Sequence, residues 1–293
     1  MLPVMTVTLR EIEPSFQLPR RIGPHAVLRP ASVSPTRIEG DHEGGALNPT
    51  HVLEIYEIHE REAILFASSL ILAIRIASTC SVLALDYSFP DTKTLVSFEG
   101  GSIHVWSHHA RRFGEDAASW IESHHEAIRP YINPEAYSRI SNALRLYDAS
   151  LHTRNADLAL LGFVGALEGL FSIAPQELSF RLSLLIAKFL GSDSDSQRKC
   201  FEQIRDLYTV RSEISHGDRI DRNEEAAAIQ IEENWTPRAE ELARNSLRKI
   251  FENGLTETFN NRAQHEEFLI NLLFEANLST IMENRGSLHC EPE

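Results

Sequence analysis

Residues 154–171 constrain this chain more than any other segment. Leu158-Ala-Leu-Leu-Gly-Phe-Val-Gly-Ala-Leu-Glu-Gly-Leu-Phe171 is apolar on nearly all sides at helical spacing, with Glu168 as its only acid. A helix without a polar face is a central, buried one, and it needs other helices around it.

The segments on either side read as those partners. Tyr137, Ile140, Leu144 and Tyr147 fall at helical spacing within residues 135–150. Pro175-Gln176 begin a further helix that carries Leu182, Leu185, Ile186 and Phe189 and stops at Gly191. Ser192-Asp-Ser-Asp-Ser196 is a polar loop rich in N-cap candidates. The next helix is predicted from about Ser196 to His216, ending at Gly217. Thr236-Pro237 read as N-cap and first helical residue of a helix reaching Gly254, and a last apolar segment spans Phe268 to Leu278.

The N-terminal part reads differently. Pro3, Pro14, Pro19, Pro24, Pro30, Pro35 and Pro49 interrupt residues 1–50, which predicts an irregular arm holding at most short extended pieces at Val4 to Leu9 and His25 to Leu28. A helix is expected from near Thr50 through Leu53, Tyr56, Ile64, Ile71 and Ile74. A strand or hairpin is expected around Leu95 to Phe98, and helix again from Ser102 to Ile128. The expected fold class is therefore mainly α: an arm at 1–50, a mixed α+β module at 51–133, a helical bundle at 134–285 and a tail at 286–293.

Composition limits the function classes. With 28 Lys+Arg against 42 Asp+Glu the formal charge is -14, so a broad, non-specific nucleic-acid binder is disfavoured. A local basic cleft remains compatible, because screening acts over roughly 10 Å. Cys80, Cys200 and Cys290 are far apart and have no CxxC spacing, which fits a reducing, cytoplasmic setting without a zinc knuckle. The opening MLPVMTVTLREIEPSF has no basic region followed by an apolar run, so no secretory signal is expected. Ala63 to Leu85 is long enough for a membrane span, but its serines and the central Arg75 favour a buried helix running into a strand.

The chemistry concentrates in Asp206-Leu-Tyr-Thr-Val-Arg-Ser-Glu-Ile-Ser-His-Gly-Asp218. Cys200, Ile204, Leu207, Arg211 and Ile214 form one helical stripe, so Arg211 points at or beside the apolar face and needs a partner. Glu168, the lone acid of the apolar helix, is the candidate; otherwise one of the two faces a cleft. His216 follows five residues on, about 140° further round a straight helix and so not on one face, although the two could still converge at one cleft because the helix ends at Gly217. In a last helical turn the dipole favours the imidazolium, a proton donor near neutral pH. An adjacent guanidinium would stabilise a phosphoryl group, and Arg plus His without a metal suits RNA cleavage by its own 2′-hydroxyl. The competing reading makes Arg211 a brace of the bundle and His216 only a helix cap.

The pattern Leu207-Tyr208-x-x-Arg211-Ser212-x-Ile214-x-His216-Gly217 resembles the HEPN superfamily motif, an Arg followed after four to six residues by His. With Ala166-Leu-Glu-Gly-Leu-Phe171 and Leu178 to Gly191 as flanking helices, it looks closest to the ApeA-like HEPN branch over residues 135 to 285. The resemblance implies a bundle that dimerises, with two Arg–His pairs in one cleft across the interface. It also implies a metal-independent endoribonuclease of prokaryotic antiviral defence or toxin systems, with RNA as substrate and no cofactor. His216 would then be the acid/base group, Arg211 the phosphate clamp and Glu168 its orienting partner, with Tyr208 and Ser212 supporting. Ser212 departs from the Asn, Asp or His often found after the Arg in active members. An inhibitory or sensing partner protein belongs to the same expectation, and a non-catalytic dimerisation or RNA- or protein-binding module is the alternative.

Other patterns carry less. His104, His108, His109, His124 and His125 cluster with Glu122 and Glu126, and His104 and His108 have a spacing that can hold a metal on a helix. No HExxH is present, and a solvated helix face is the better reading. Arg111-Arg112 near Trp106 and His109 could form a basic and aromatic patch for RNA, or simply surface ion pairs. GxxxxGK, GxGxxG and GxSxG are absent, which argues against nucleotide hydrolysis and serine hydrolase chemistry.

Overall fold

In a computed structural model, the residues described are 3–10, 12–31, 50–56, 58–78, 82–89, 94–97, 112–132, 138–172, 178–217 and 229–274. The chain divides into two compact units, residues 1–133 and 134–293. The architecture is mainly helical, with an antiparallel sheet in the first unit.

That sheet has the strand order β3-β4-β5-β1-β6-β7. The strands are β1 (Met5–Arg10), β3 (Arg20–Arg21), β4 (Ala26–Pro30), β5 (His51–Ile55), β6 (Leu83–Phe89) and β7 (Thr94–Ser97). A separate parallel pair joins β2 (Glu13–Pro14) to β8 (Arg112–Phe113). Register sets one apolar row across three strands: Val7 pairs with Leu53, and Leu53 with Leu28. These three side chains are fully buried, as are Met5, Leu9, Ala26 and Ile55 at alternate positions. Helix α1 (Glu60–Ala77) packs beside β1 and against α2 (Glu115–Ile128).

Two expectations for this unit need correction. The extended pieces expected at Val4 to Leu9 and His25 to Leu28 are β1 and β4, but they do not belong to an irregular arm: β1 is an interior strand, paired with β5 on one side and β6 on the other. Of the prolines that suggested irregularity, Pro14 and Pro30 sit at strand ends, where a missing N–H is tolerated. Nor does a helix start near Thr50. His51-Val-Leu-Glu-Ile55 is a strand whose Leu53 and Ile55 are buried by period-two alternation, and the helix begins at Glu60.

The Ala63–Leu85 segment does run from buried helix into strand. Arg75 is buried and donates from Nε (3.1 Å) and Nη2 (2.8 Å) to the Val82 carbonyl, across the link into β6. Among the described residues no helix is long and apolar enough to cross a membrane.

The second unit is a bundle built around α4 (Ala156–Phe171), as its apolar composition requires. It packs against α3 (Arg139–Leu151), α5 (Leu178–Leu190), α6 (Ser194–His216) and α7 (Thr236–Glu252). Short α8 (Thr256–Asn260) and α9 (Arg262–Phe274) complete the described part. Phe171, Phe189, Phe259 and Phe268 form a buried cluster of rings at centroid distances of 5.1 to 6.3 Å. Asn155 caps α4, accepting from Leu158 N at 2.9 Å. Thr236 is not an N-cap. A π-turn at Ile231–Trp235 runs straight into α7, and the Thr236 hydroxyl donates to Ala156 O at 3.1 Å.

Candidate functional site

The site grows from the last turns of two helices. Glu168 lies near the C-terminal end of α4, where Arg139 Nη1 donates to Gly169 O (3.0 Å) and His265 Nε2 bonds Leu170 O (2.6 Å). These two side chains satisfy carbonyls that a helix end leaves without partners. Burial pushes His265 down to about 4, so it serves as a neutral donor. The turn carrying Glu168 is therefore fixed from two directions.

Helix α6 supplies the opposite wall. Asp193 caps it, accepting from Asp195 N (3.0 Å) and Ser196 N (2.9 Å), while Ser196 Oγ accepts from Asp193 N (3.1 Å). This capping box opens the helix, and Gly217 ends it at φ 71°. Cys200, Ile204 and Leu207 are buried on the predicted stripe, with Arg211 and Ile214 at its partly exposed end.

Arg211 and Glu168 meet. Arg211 Nη2 lies 3.5 Å from Glu168 Oε1, with 36% and 24% of the two side chains exposed. The Tyr208 hydroxyl donates to the same carboxylate oxygen at 3.2 Å. Burial, followed by the Glu168 charge, raises the Tyr208 phenol, so it stays protonated and remains a donor. A half-exposed ion pair of this kind is worth about 0–1 kcal/mol. Its main effect is to orient the guanidinium.

An open cleft of about 420 Å³ lies over this pair, lined by Glu168, Ser179, Arg205, Tyr208, Thr209, Arg211, Ser212 and Glu213. Four of the five predicted site residues thus converge: Glu168, Tyr208, Arg211 and Ser212. His216 does not line that cleft; it stands exposed in the last turn of α6. The convergence of Arg211 and His216 at one cleft that the sequence left open is not found in this cleft; about 140° of helical rotation lies between them. The cleft holds two guanidiniums, two carboxylates and three aliphatic hydroxyls. It can bind an anion with geometric precision but offers no net charge of its own.

Sequence reasoning passed over several of these groups. Ser179 and Arg205 had no motif to mark them. Arg139 and His265 act on backbone carbonyls far along the chain, which no spacing reveals. A buried trio was also missed: Tyr147 Oη donates to Glu240 Oε1 at 2.9 Å, and Arg244 Nε donates to the same oxygen at 3.1 Å. The Tyr147, Ile140 and Leu144 periodicity was a signal for this face, though not for its polar partner on α7.

In the first unit, His104, His108, His109, Trp106 and Arg111 lie outside the described residues. His125 is buried and bonds Ile121 O through Nδ1 at 2.9 Å, while His124 stacks on Trp120 at 4.7 Å. Both are helix-packing residues, and among the described residues no three His, Cys, Asp or Glu side chains could hold a metal together. Comparison with known proteins returned no matching family model, no curated protein and no solved structure with significant similarity.

Proposed function

We propose that the chain is a metal-independent endoribonuclease of HEPN type, active as a homodimer in prokaryotic antiviral defence or a toxin system. The observation that carries this reading is the Arg211 guanidinium, oriented by Glu168 at an open cleft, on the same helix end as an exposed His216.

In the proposed step the RNA 2′-oxygen attacks the adjacent phosphorus and the bond to the 5′-oxygen breaks. His216 moves the proton from nucleophile to leaving group, and Arg211 offsets charge on the phosphorane. The products are a 2′,3′-cyclic phosphate and a 5′-hydroxyl. In the dimer of this reading the Arg211 and His216 pairs of two copies share one groove. The first unit senses a trigger or binds an inhibitory partner.

The test is incubation of mixed RNA with the protein in EDTA, beside His216→Ala and Arg211→Ala, with the product ends mapped. The expected result is cleavage to cyclic-phosphate ends by wild type only. Equal cleavage by wild type and His216→Ala refutes the assignment.

A second reading rests on the charge of the cleft. Glu168 and Glu213 balance Arg205 and Arg211, and His216 lies outside it. These features fit a non-catalytic HEPN-like dimerisation or binding module. A protein that dimerises and leaves RNA intact, alone and with its partner, would establish that alternative.

A further inference from the structure

The exposed side of α6 is sorted by chemistry. On a helical wheel Arg198, Phe201, Arg205, Thr209, Ser212 and His216 fall within about 40° of one line. Arg205 and His216 are eleven residues apart, within about 20° of three full turns. The acids Asp195, Glu202, Asp206 and Glu213 fall together about 60–100° to one side. The stripe is thus basic, hydroxylic and aromatic, and free of carboxylates, although the whole chain carries -14.

At the far end of the stripe from His216 stands an aromatic pair. Phe180 of α5 is 63% exposed and meets Phe201 edge-to-face, with centroids 5.4 Å apart and planes at 77°. Its neighbour Ser179 lines the cleft, as does Arg205. Arg205 is 58% exposed, and Asp206 approaches it only to 3.7 Å in open solvent. An exposed ring, braced by a second ring that lies one helical turn from Arg198 and from Arg205, is a combination that suits single-stranded nucleic acid. Bases stack on the ring and phosphates pair with the cations.

We propose that single-stranded RNA lies along this α6 stripe, with a base stacked on Phe180 and a phosphate held by Arg205, and that the track leads to His216. The assignment rests on the ribonuclease reading for its substrate class. It explains how an acidic protein with a charge-balanced cleft could hold a polyanion. Arg205 lies about 16 Å along the helix from His216, so it holds the strand at a phosphate other than the one His216 faces.

The test uses fluorescence anisotropy with a labelled single-stranded RNA hexamer in EDTA. The parent is His216→Ala, so that the probe stays intact. Phe180→Ala weakens binding by about 5- to 100-fold, the range for loss of one base–aromatic stack. Phe180→Trp retains binding. Phe274→Ala, which removes the 85% exposed ring of α9, leaves it unchanged. Arg205→Ala weakens binding and lowers the salt slope by about 0.7. A duplex of equal length binds more weakly than the single strand.

Equal affinity of Phe180→Ala and its parent overturns the proposal, as does a preference for duplex. A change in oligomeric state with RNA binding intact also overturns it, because Phe180 would then contact a second copy. The outcomes separate this inference from the activity it rests on. If wild type cleaves RNA and Phe180→Ala alters neither affinity nor kcat/KM, only the track is wrong. If binding follows Phe180 and wild type does not cleave, the track stands and the nuclease reading fails.

Discussion

His265 should make the bundle acid-sensitive. Its ring is buried between α9 and the end of α4, bonded to Leu170 O at 2.6 Å and set against Phe259 with centroids 5.1 Å apart. Burial holds it near 4, against an ordinary value of 6.5, and the Arg139 charge adds to the effect. Because the folded value is lower, the unfolded chain takes up the proton first. The stability tied to the neutral ring is complete above about pH 6.5 and is lost as pH falls to about 4, a difference of about 3 kcal/mol. Urea unfolding of wild type and His265→Gln between pH 7.5 and 4 measures it. Gln keeps a donor for the carbonyl but does not titrate. Trp235 is the sole tryptophan of residues 134–293, so its fluorescence in a Trp106→Phe/Trp120→Phe background follows this unit. Wild type should lose about 3 kcal/mol more than the variant over that range. Parallel pH curves would refute the argument that burial of this imidazole governs the effect.

The buried trio makes a second prediction. Glu240→Ala leaves Arg244 buried without its carboxylate and should cost about 3–5 kcal/mol by chemical denaturation. Glu240→Gln costs less, since an acceptor for Tyr147 remains. Burial raises the Glu240 carboxyl, so its ionisation opposes folding. Wild type should therefore weaken relative to Glu240→Gln as pH rises through that group. In the α3–α4 contact, a Cβ at Gly162 would fall on Ser150 Oγ, which bonds Leu146 O at 2.7 Å. Gly162→Ala should cost about 1–3 kcal/mol, and Ser150→Ala should restore most of it in a double-mutant cycle. Glu168→Gln keeps an acceptor for Tyr208 but frees Arg211. Thermal stability should change by no more than about 1 kcal/mol, and under the proposed ribonuclease function kcat for RNA falls while KM changes little.

The bundle was readable because its signals are local. Apolar residues at helical spacing place α3 to α6, and Asp193 and Gly217 mark the ends of α6 by rules that need no partner. The Glu168–Arg211 contact was also foreseeable, since a lone carboxylate and a lone guanidinium on two apolar faces each require an opposite charge. Strand β5 was misread because Leu53 and Tyr56 fit helical spacing over so short a run, whereas the buried pair Leu53 and Ile55 alternates. The interior position of β1 depends on pairing with β6, more than 70 residues away. Arg139 and His265 escaped notice because their partners are carbonyl oxygens, which every residue has.

The wheel of α6 sharpens what any catalytic account must explain. Arg211 turns toward Glu168, while His216 turns onto the face shared by Arg205 and Ser212, about 140° away on the helix. One copy therefore separates the oriented guanidinium from the proton-carrying group. Under the proposed function two arrangements follow. A second copy can bring its own Arg211 to this His216 at one phosphate, or Arg205, about 16 Å along the helix, anchors the strand at another phosphate while His216 acts without a guanidinium and Arg211 only braces Glu168. The first makes activity depend on dimer concentration and on Arg211. The second makes it depend on Arg205 and permits an active single copy. The charge-balanced cleft and the stripe share Arg205, Thr209 and Ser212, and under the proposed function cleavage by Arg205→Ala and Arg211→Ala variants decides which guanidinium carries the chemistry.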